Sequence, residues 1–127
     1  MAYILLVDDD PENRILIKLI LESGKHSVVL TATGGQGLQL ALEKRPDLLL
    51  LDAMLPDMDG YEICRALRAR PELAGLPILF FSARIDDRAQ ARALEAGATG
   101  FIPKSLSPKE LLRRIADELA KAYPNDG

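Results

Sequence analysis

The chain has 127 residues, 48% of them hydrophobic and 28% charged, and a formal net charge of −3. That length supports one domain with a sizeable core, and the mild acidity gives no electrostatic footing for direct nucleic-acid binding. The single cysteine, Cys64, excludes an internal disulfide, no Cys/His cluster suggests zinc, and no apolar run approaches the roughly 20 residues that cross a bilayer.

The opening "MAYILLVDDDPE" reaches acids too early for a signal peptide, so a reducing, cytoplasmic setting is expected, with no membrane partner. Within it, "YILLV" (3–7) reads as a strand ending in Asp8 and Asp9. "DPEN" then starts a helix, with Asp10 as N-cap and Pro11 at the first helical position. Leu16, Leu19, Ile20 and Ser23 carry its helical spacing, and Gly24 ends it. His26, in the following turn, is read as solvated. "SVVLTA" (27–32) is the second strand. "GGQG" (34–37) lacks the G-x-G-x-x-G spacing of a nucleotide loop and is read as a flexible helix start, continued by Leu38, Ala41 and Leu42 and closed by Pro46.

"LLLL" (48–51) is a third strand, and it runs straight into Asp52. "DMDG" (57–60) hints at a calcium loop, but Leu55 stands where that pattern needs an acid or amide. Ile63 and Leu67 mark a third helix, with Cys64 on its apolar stripe. "PILFFS" (77–82) is a strand ending in Ser82. The helix at about 86–96, "DDRAQARALEA", has a poor apolar stripe, mainly alanines and one leucine. Arg84, Arg88 and Arg92 form a basic stripe read as a solvated face in preference to a docking surface. "GFIP" (100–103) leads to Lys104. "SPKE" (107–110) is a capping box for a last helix carrying Leu111, Ile115 and Leu119, before the polar end "AYPNDG".

The strand segments do not alternate polar with apolar, so they read as strands buried on both faces in a parallel sheet. Strict alternation with helices makes an α/β domain with helices on both sheet faces, and ligands in such folds bind outside the carboxyl ends of the strands. Asp8 and Asp9, Asp52, Ser82 and Lys104 all stand at those ends. Clustered carboxylates resist ionising together unless a cation neutralises them, and oxygen ligands suit a hard cation such as Mg²⁺. A carboxylate so placed can serve as nucleophile toward a phosphoryl group, with Lys104 opposing the developing charge and Ser82 donating a hydrogen bond.

Through "ILLVDDDPENR" (4–14), "LLLLDAMLPDMDG" (48–60), "PILFFSA" (77–83) and "GATGFIPKS" (97–105), the sequence resembles the receiver domains of bacterial two-component response regulators. The resemblance implies a single (βα)5 doubly wound, flavodoxin-like domain over residues 1–123, with sheet order 2-1-3-4-5 and a tail at 124–127. It implies that Asp52 is the phosphoacceptor, supplied by a sensor histidine kinase or a histidine phosphotransfer protein. Asp8, Asp9, Asp52 and the Met54 backbone carbonyl are then the ligands of Mg²⁺, with Mn²⁺ as the alternative. Ser82 is the hydroxyl that contacts the phosphoryl group, Lys104 its cationic partner, and Phe101 an aromatic switch, while Pro56 and Gly60 match the usual loop. Met54 and Arg84 occupy the positions that tune phosphoryl lifetime, and neither orients a water, so a long-lived phosphoryl group is expected.

The switching face so implied is helix 4, strand 5 and helix 5, toward an output domain, a partner protein or a second copy. One departure stands out: Ser105 follows Lys104 where many receivers have proline, which puts the usual cis peptide in question. Two other enzyme-like readings fit less well. A haloacid-dehalogenase-type phosphatase needs an acid where Met54 stands, and in a flavin carrier "DDDPEN" would repel the phosphate. A receiver-like interaction module that no longer uses phosphate is the remaining alternative, against which the full acidic set and Lys104 argue.

Overall fold

A computed structural model describes residues 2–53, 55–83 and 86–124. Strands β1 (Tyr3–Val7), β2 (Ser27–Thr31), β3 (Leu48–Leu51), β4 (Ile78–Ser82) and β5 (Gly100–Pro103) alternate with helices α1 (Pro11–Ser23), α2 (Gly34–Glu43), α3 (Gly60–Arg68), α4 (Asp87–Glu95) and α5 (Pro108–Ala122). All strand pairings are parallel, in the order 2-1-3-4-5. A 3₁₀ turn at Pro71–Leu73, which the sequence reading did not anticipate, closes the path from α3 to β4.

The sheet splits the interior in two, because successive strand side chains point to opposite faces. Leu5, Val7, Leu49, Leu51, Ile78 and Phe80 meet Ala41 of α2, Ile63 and Leu67 of α3 and Ala93 of α4. Ile4, Leu6, Leu48, Leu50, Leu79 and Phe81 meet Ile17 and Leu21 of α1 and Leu111 and Ile115 of α5. Each of these buried leucines and isoleucines stabilises the fold by about 2 kcal/mol relative to exposure. Cys64 is buried in the first cluster, as its helical position indicated.

Among the described residues, each of the five α-helices starts with a side-chain cap. Asp10, Thr33, Asp59 and Asp86 accept from amides in the first turns of α1, α2, α3 and α4, and Ser107 with Glu110 forms the complete capping box of α5. Such caps fix where each helix begins. Since each of these helices follows a parallel strand, their N-termini all lie at the carboxyl edge of the sheet. Their dipoles therefore bias that edge toward anions.

Several particulars differ from the sequence reading, the 39% exposure of Leu42 on α2 among them. Strand β2 is an edge strand with Ser27 and Val29 exposed, so burial on both faces holds for β1, β3 and β4 only. The buried residues of α1 are Ile17 and Leu21, while Leu16 and Leu19 are 54% and 61% exposed. The leucine of α4, Leu94, is 67% exposed, leaving Ala93 as its buried contact. His26 is half-buried, with its Nδ1 buried and without a hydrogen-bond partner among the described residues. Of the expected tail, residues 125–127 lie outside the described residues.

Candidate functional site

Register brings the acids together. Val7 pairs with Leu51, so Asp8 and Asp52 leave the sheet side by side, and Asp52 N–H donates to the Val7 carbonyl at 3.0 Å. On the far side Ser82 pairs with Pro103, and Lys104 N–H donates to the Ser82 carbonyl at 2.9 Å. Four strand ends thus converge, as their positions in the chain implied. Asp8 and Asp52 are buried and Asp9 is exposed, and a carboxylate oxygen from each lies within 4.8 Å of the others. The Lys104 ammonium reaches into the group, 3.0 Å from Asp52 Oδ2 and 3.3 Å from Asp8 Oδ2.

The electrostatics follow from burial. Loss of water pushes the Asp8 carboxyl above its ordinary range, an effect the Asp10 N–H and Lys104 oppose and the Asp52 charge reinforces. Burial works against the Lys104 charge as well, but the hydrogen bond and charge of Asp52, with Asp8, more than reverse it and hold the ammonium above its usual value. Asp8 Oδ1 accepts from Asp10 N–H at 2.9 Å. Asp8 Oδ2 is buried with no hydrogen-bond donor among the described residues, the Lys104 ammonium standing 3.3 Å away as an ion-pair partner. A buried carboxylate oxygen without a donor is costly, and a hard cation is the ligand that oxygen suits. The residues present therefore fit a divalent cation.

Around this centre, Arg14 donates to the Asp8 carbonyl at 3.0 Å, fastening the start of α1 beneath the acids. Gly60 N–H donates to the Ala53 carbonyl at 3.0 Å, and a Cβ at position 60 would stand 2.5 Å from the Asp52 carbonyl oxygen, so only glycine fits there. Ser82, half-buried, lines with Ala53 a groove of about 620 Å³ that runs toward Arg88 and Arg92 of α4. Phe101 is half-buried on β5, packed against the core on the α3 and α4 side. No peptide among the described residues is cis, so the bond after Lys104 is trans with serine in place of proline. Met54 and Arg84 lie outside the described residues.

Three participants had no clear sequence signal. Asp57 accepts from Gly34 N–H at 2.8 Å and Gly35 N–H at 2.9 Å, and those bonds hold its carboxyl below the usual range. Arg92 is tied to Asp59 Oδ2 at 3.2 Å and lies over the Tyr61 ring, 4.1 Å from its centroid, so that cation of the stripe is engaged rather than simply solvated. Arg14 stands four residues after the Asp10 cap, a spacing that could have suggested it faces the strand ends.

Comparison with known proteins agrees with this geometry. The family profile described as "Response regulator receiver domain" matches residues 4–116. The DNA-binding response regulator MtrA of Mycolicibacterium smegmatis is 38% identical over 118 residues, covering 93% of this chain and 50% of that protein. The chain spans about half the length of the curated relatives it matches. A CheY-like response regulator receiver domain protein from Methanospirillum hungatei superposes with a TM-score of 0.88 at 32% identity, covering 98% of both chains. The receiver domain of the sensor histidine kinase PA1611 from Pseudomonas aeruginosa, which has a magnesium ion coordinated in its active-site cleft, gives 0.87 at 32% identity, over 94% of this chain and 98% of that one.

Proposed function

The chain belongs to the response regulator receiver domain family, and from that we propose that it is a phosphorylation switch whose acceptor is Asp52. The observation that carries the reading is the trio of carboxylates within 4.8 Å of one another, faced by an ammonium 3.0 Å from Asp52. Asp8, Asp9 and Asp52 would hold Mg²⁺, with the Met54 carbonyl as a further ligand and Mn²⁺ able to substitute. When bound, the cation neutralises charge on the phosphoryl oxygens.

In the transfer, an Asp52 carboxylate oxygen forms the bond to phosphorus as the P–N bond of a donor phosphohistidine breaks, and the leaving imidazole retains the electron pair. Burial of Asp52 at the end of β3 fixes its direction of attack. Lys104 then exchanges its contact with Asp52 for the transferred group, and Ser82 turns its hydroxyl toward it. Phe101 and the weakly packed α4, together with β5 and α5 beside it, supply the conformational response read by an output domain, a partner protein or a second copy. No helix among the described residues is long and apolar enough to cross a membrane, and a cytoplasmic location fits a kinase-fed switch. The donor is a sensor histidine kinase or histidine phosphotransfer protein. Exposed Ile15, Leu16 and Leu19, one to three turns along α1 from the site, offer it an apolar surface.

Incubation with acetyl phosphate, with and without Mg²⁺, followed by intact mass, tests the proposal. One phosphoryl group gained only with Mg²⁺, and lost in Asp52→Asn, is expected, with larger amide shifts in α4 and α5 than in α2. Mg²⁺-independent modification or an unaffected variant would move the acceptor elsewhere. Absence of both modification and Mg²⁺ binding favours a module that no longer uses phosphate.

A further inference from the structure

Between β3 and α3, Ala53 and residues 55–59 are fastened at the base, the end and the tip of the connection. At the base Gly60 N–H bonds the Ala53 carbonyl, and at the end Asp59 caps α3 by accepting from Tyr61 N–H at 2.9 Å. Leu55 and Met58 pack against the core, but apolar contacts set height more than direction. At the tip Asp57 takes both of the first amides of α2, at 2.8 and 2.9 Å across 23 and 22 residues of sequence. Those amides have no partner inside their helix, and Thr33 takes the next one, Gln36 N–H, at 3.2 Å. The approach is close: a Cβ on Gly34 would stand 2.7 Å from Ile63 Cδ1 and 3.0 Å from Met58 Cβ.

We infer that Asp57 is a positioning residue for cation binding and phosphoryl transfer, acting by locking the segment after Asp52 onto the first turn of α2. The inference rests on the Mg²⁺-dependent acceptor reading of Asp52. Asp57 touches none of the reacting atoms. Its two bonds are charge-assisted and bidentate, which fixes direction as well as distance. The segment leaves β3 directly from Asp52, so any swing at its tip is transmitted to the carboxylate and to the backbone beside it. Binding of a cation there has to order whatever Asp57 has not ordered already.

Two readouts test this on the intact chain. In metal-free protein, Asp57→Ala speeds hydrogen exchange of the Gly60 amide about tenfold, while Thr33→Ala, which removes the neighbouring α2 cap, does not. In Mg²⁺ titrations Asp57→Ala weakens binding about tenfold, the scale seen when a supporting partner of a metal ligand is lost. Asp57→Asn, which keeps one acceptor oxygen, falls between, and Thr33→Ala keeps the wild-type affinity at lowered Tm. Unchanged Mg²⁺ affinity in Asp57→Ala overturns the inference alone. So does equal weakening in Thr33→Ala, which would make it an effect of α2 stability, or identical loss in Asp57→Asn and Asp57→Ala, which would make it one of charge. Wild-type protein that binds no Mg²⁺ overturns both this inference and the reading of Asp52.

Discussion

At the scale of single residues, Lys104 carries two opposed duties. It compensates Asp8 and Asp52 within the fold, and in the proposed switch it would pair with the transferred anion. Removing it leaves buried carboxylates uncompensated, a loss that is strongly destabilising when one partner alone is deleted. Lys104→Met should therefore lower Tm in a chelator and recover most of that loss when Mg²⁺ is added. Phosphorylation by acetyl phosphate, followed by mass, should still slow by about 100-fold because the cation opposing the developing charge is gone. An unchanged rate would remove Lys104 from the chemistry. These residues were legible in the sequence because each strand is an apolar run that ends abruptly in a polar side chain, so position in the chain gave position in space. Asp57 was not legible. Its partners are backbone amides more than twenty residues away, and nothing in "DMDG" distinguishes an acid that clamps a helix from one that faces water.

Among the elements, α1 shows why helical spacing alone misled. Ile15, Leu16, Ile17, Leu19, Ile20 and Leu21 put apolar side chains around much of its circumference, so more than one face satisfies the i, i+3, i+4 pattern. The sheet chooses Ile17 and Leu21 and leaves Leu16 and Leu19 outside. Strand β2 was over-read for a related reason, since edge position depends on strand order and not on composition. In contrast, β1, β3 and β5 and the capped starts of α1 and α5 were readable, because caps and apolar runs are local signals. The double variant Leu16→Gln, Leu19→Gln should keep Tm within a few degrees, as exposed substitutions usually change stability by less than about 0.5 kcal/mol. It should keep its rate with acetyl phosphate but slow transfer from a cognate phosphohistidine protein. Equal rates from both donors in variant and wild type would clear α1 of any part in donor recognition.

For the molecule as a whole, the half-buried His26 links stability to pH. Burial lowers its pKa from the ordinary 6.5, and its Nδ1 lacks a partner among the described residues. A histidine whose folded pKa is depressed favours folding above its unfolded pKa, and that contribution is lost as pH falls through the folded value. Unfolding free energy should therefore decline as pH falls below the ordinary histidine value of 6.5, and His26→Gln should flatten that decline. Denaturant titrations across the range measure it, and an equal slope in the variant would assign the decline to other groups. The burial of His26 was invisible in sequence because it follows from where the turn after α1 packs, a property of the assembled fold.

The division of the interior by the sheet has a historical consequence. Substitutions on the α1 and α5 side meet neighbours in one apolar cluster, and those on the α2, α3 and α4 side meet neighbours in the other. Changes that share no neighbours tend to add without interfering. A lineage could thus revise which donor it accepts along α1 while the packing behind α4 stays as it was, and duplicated copies could part company in upstream specificity with their shared chemistry intact.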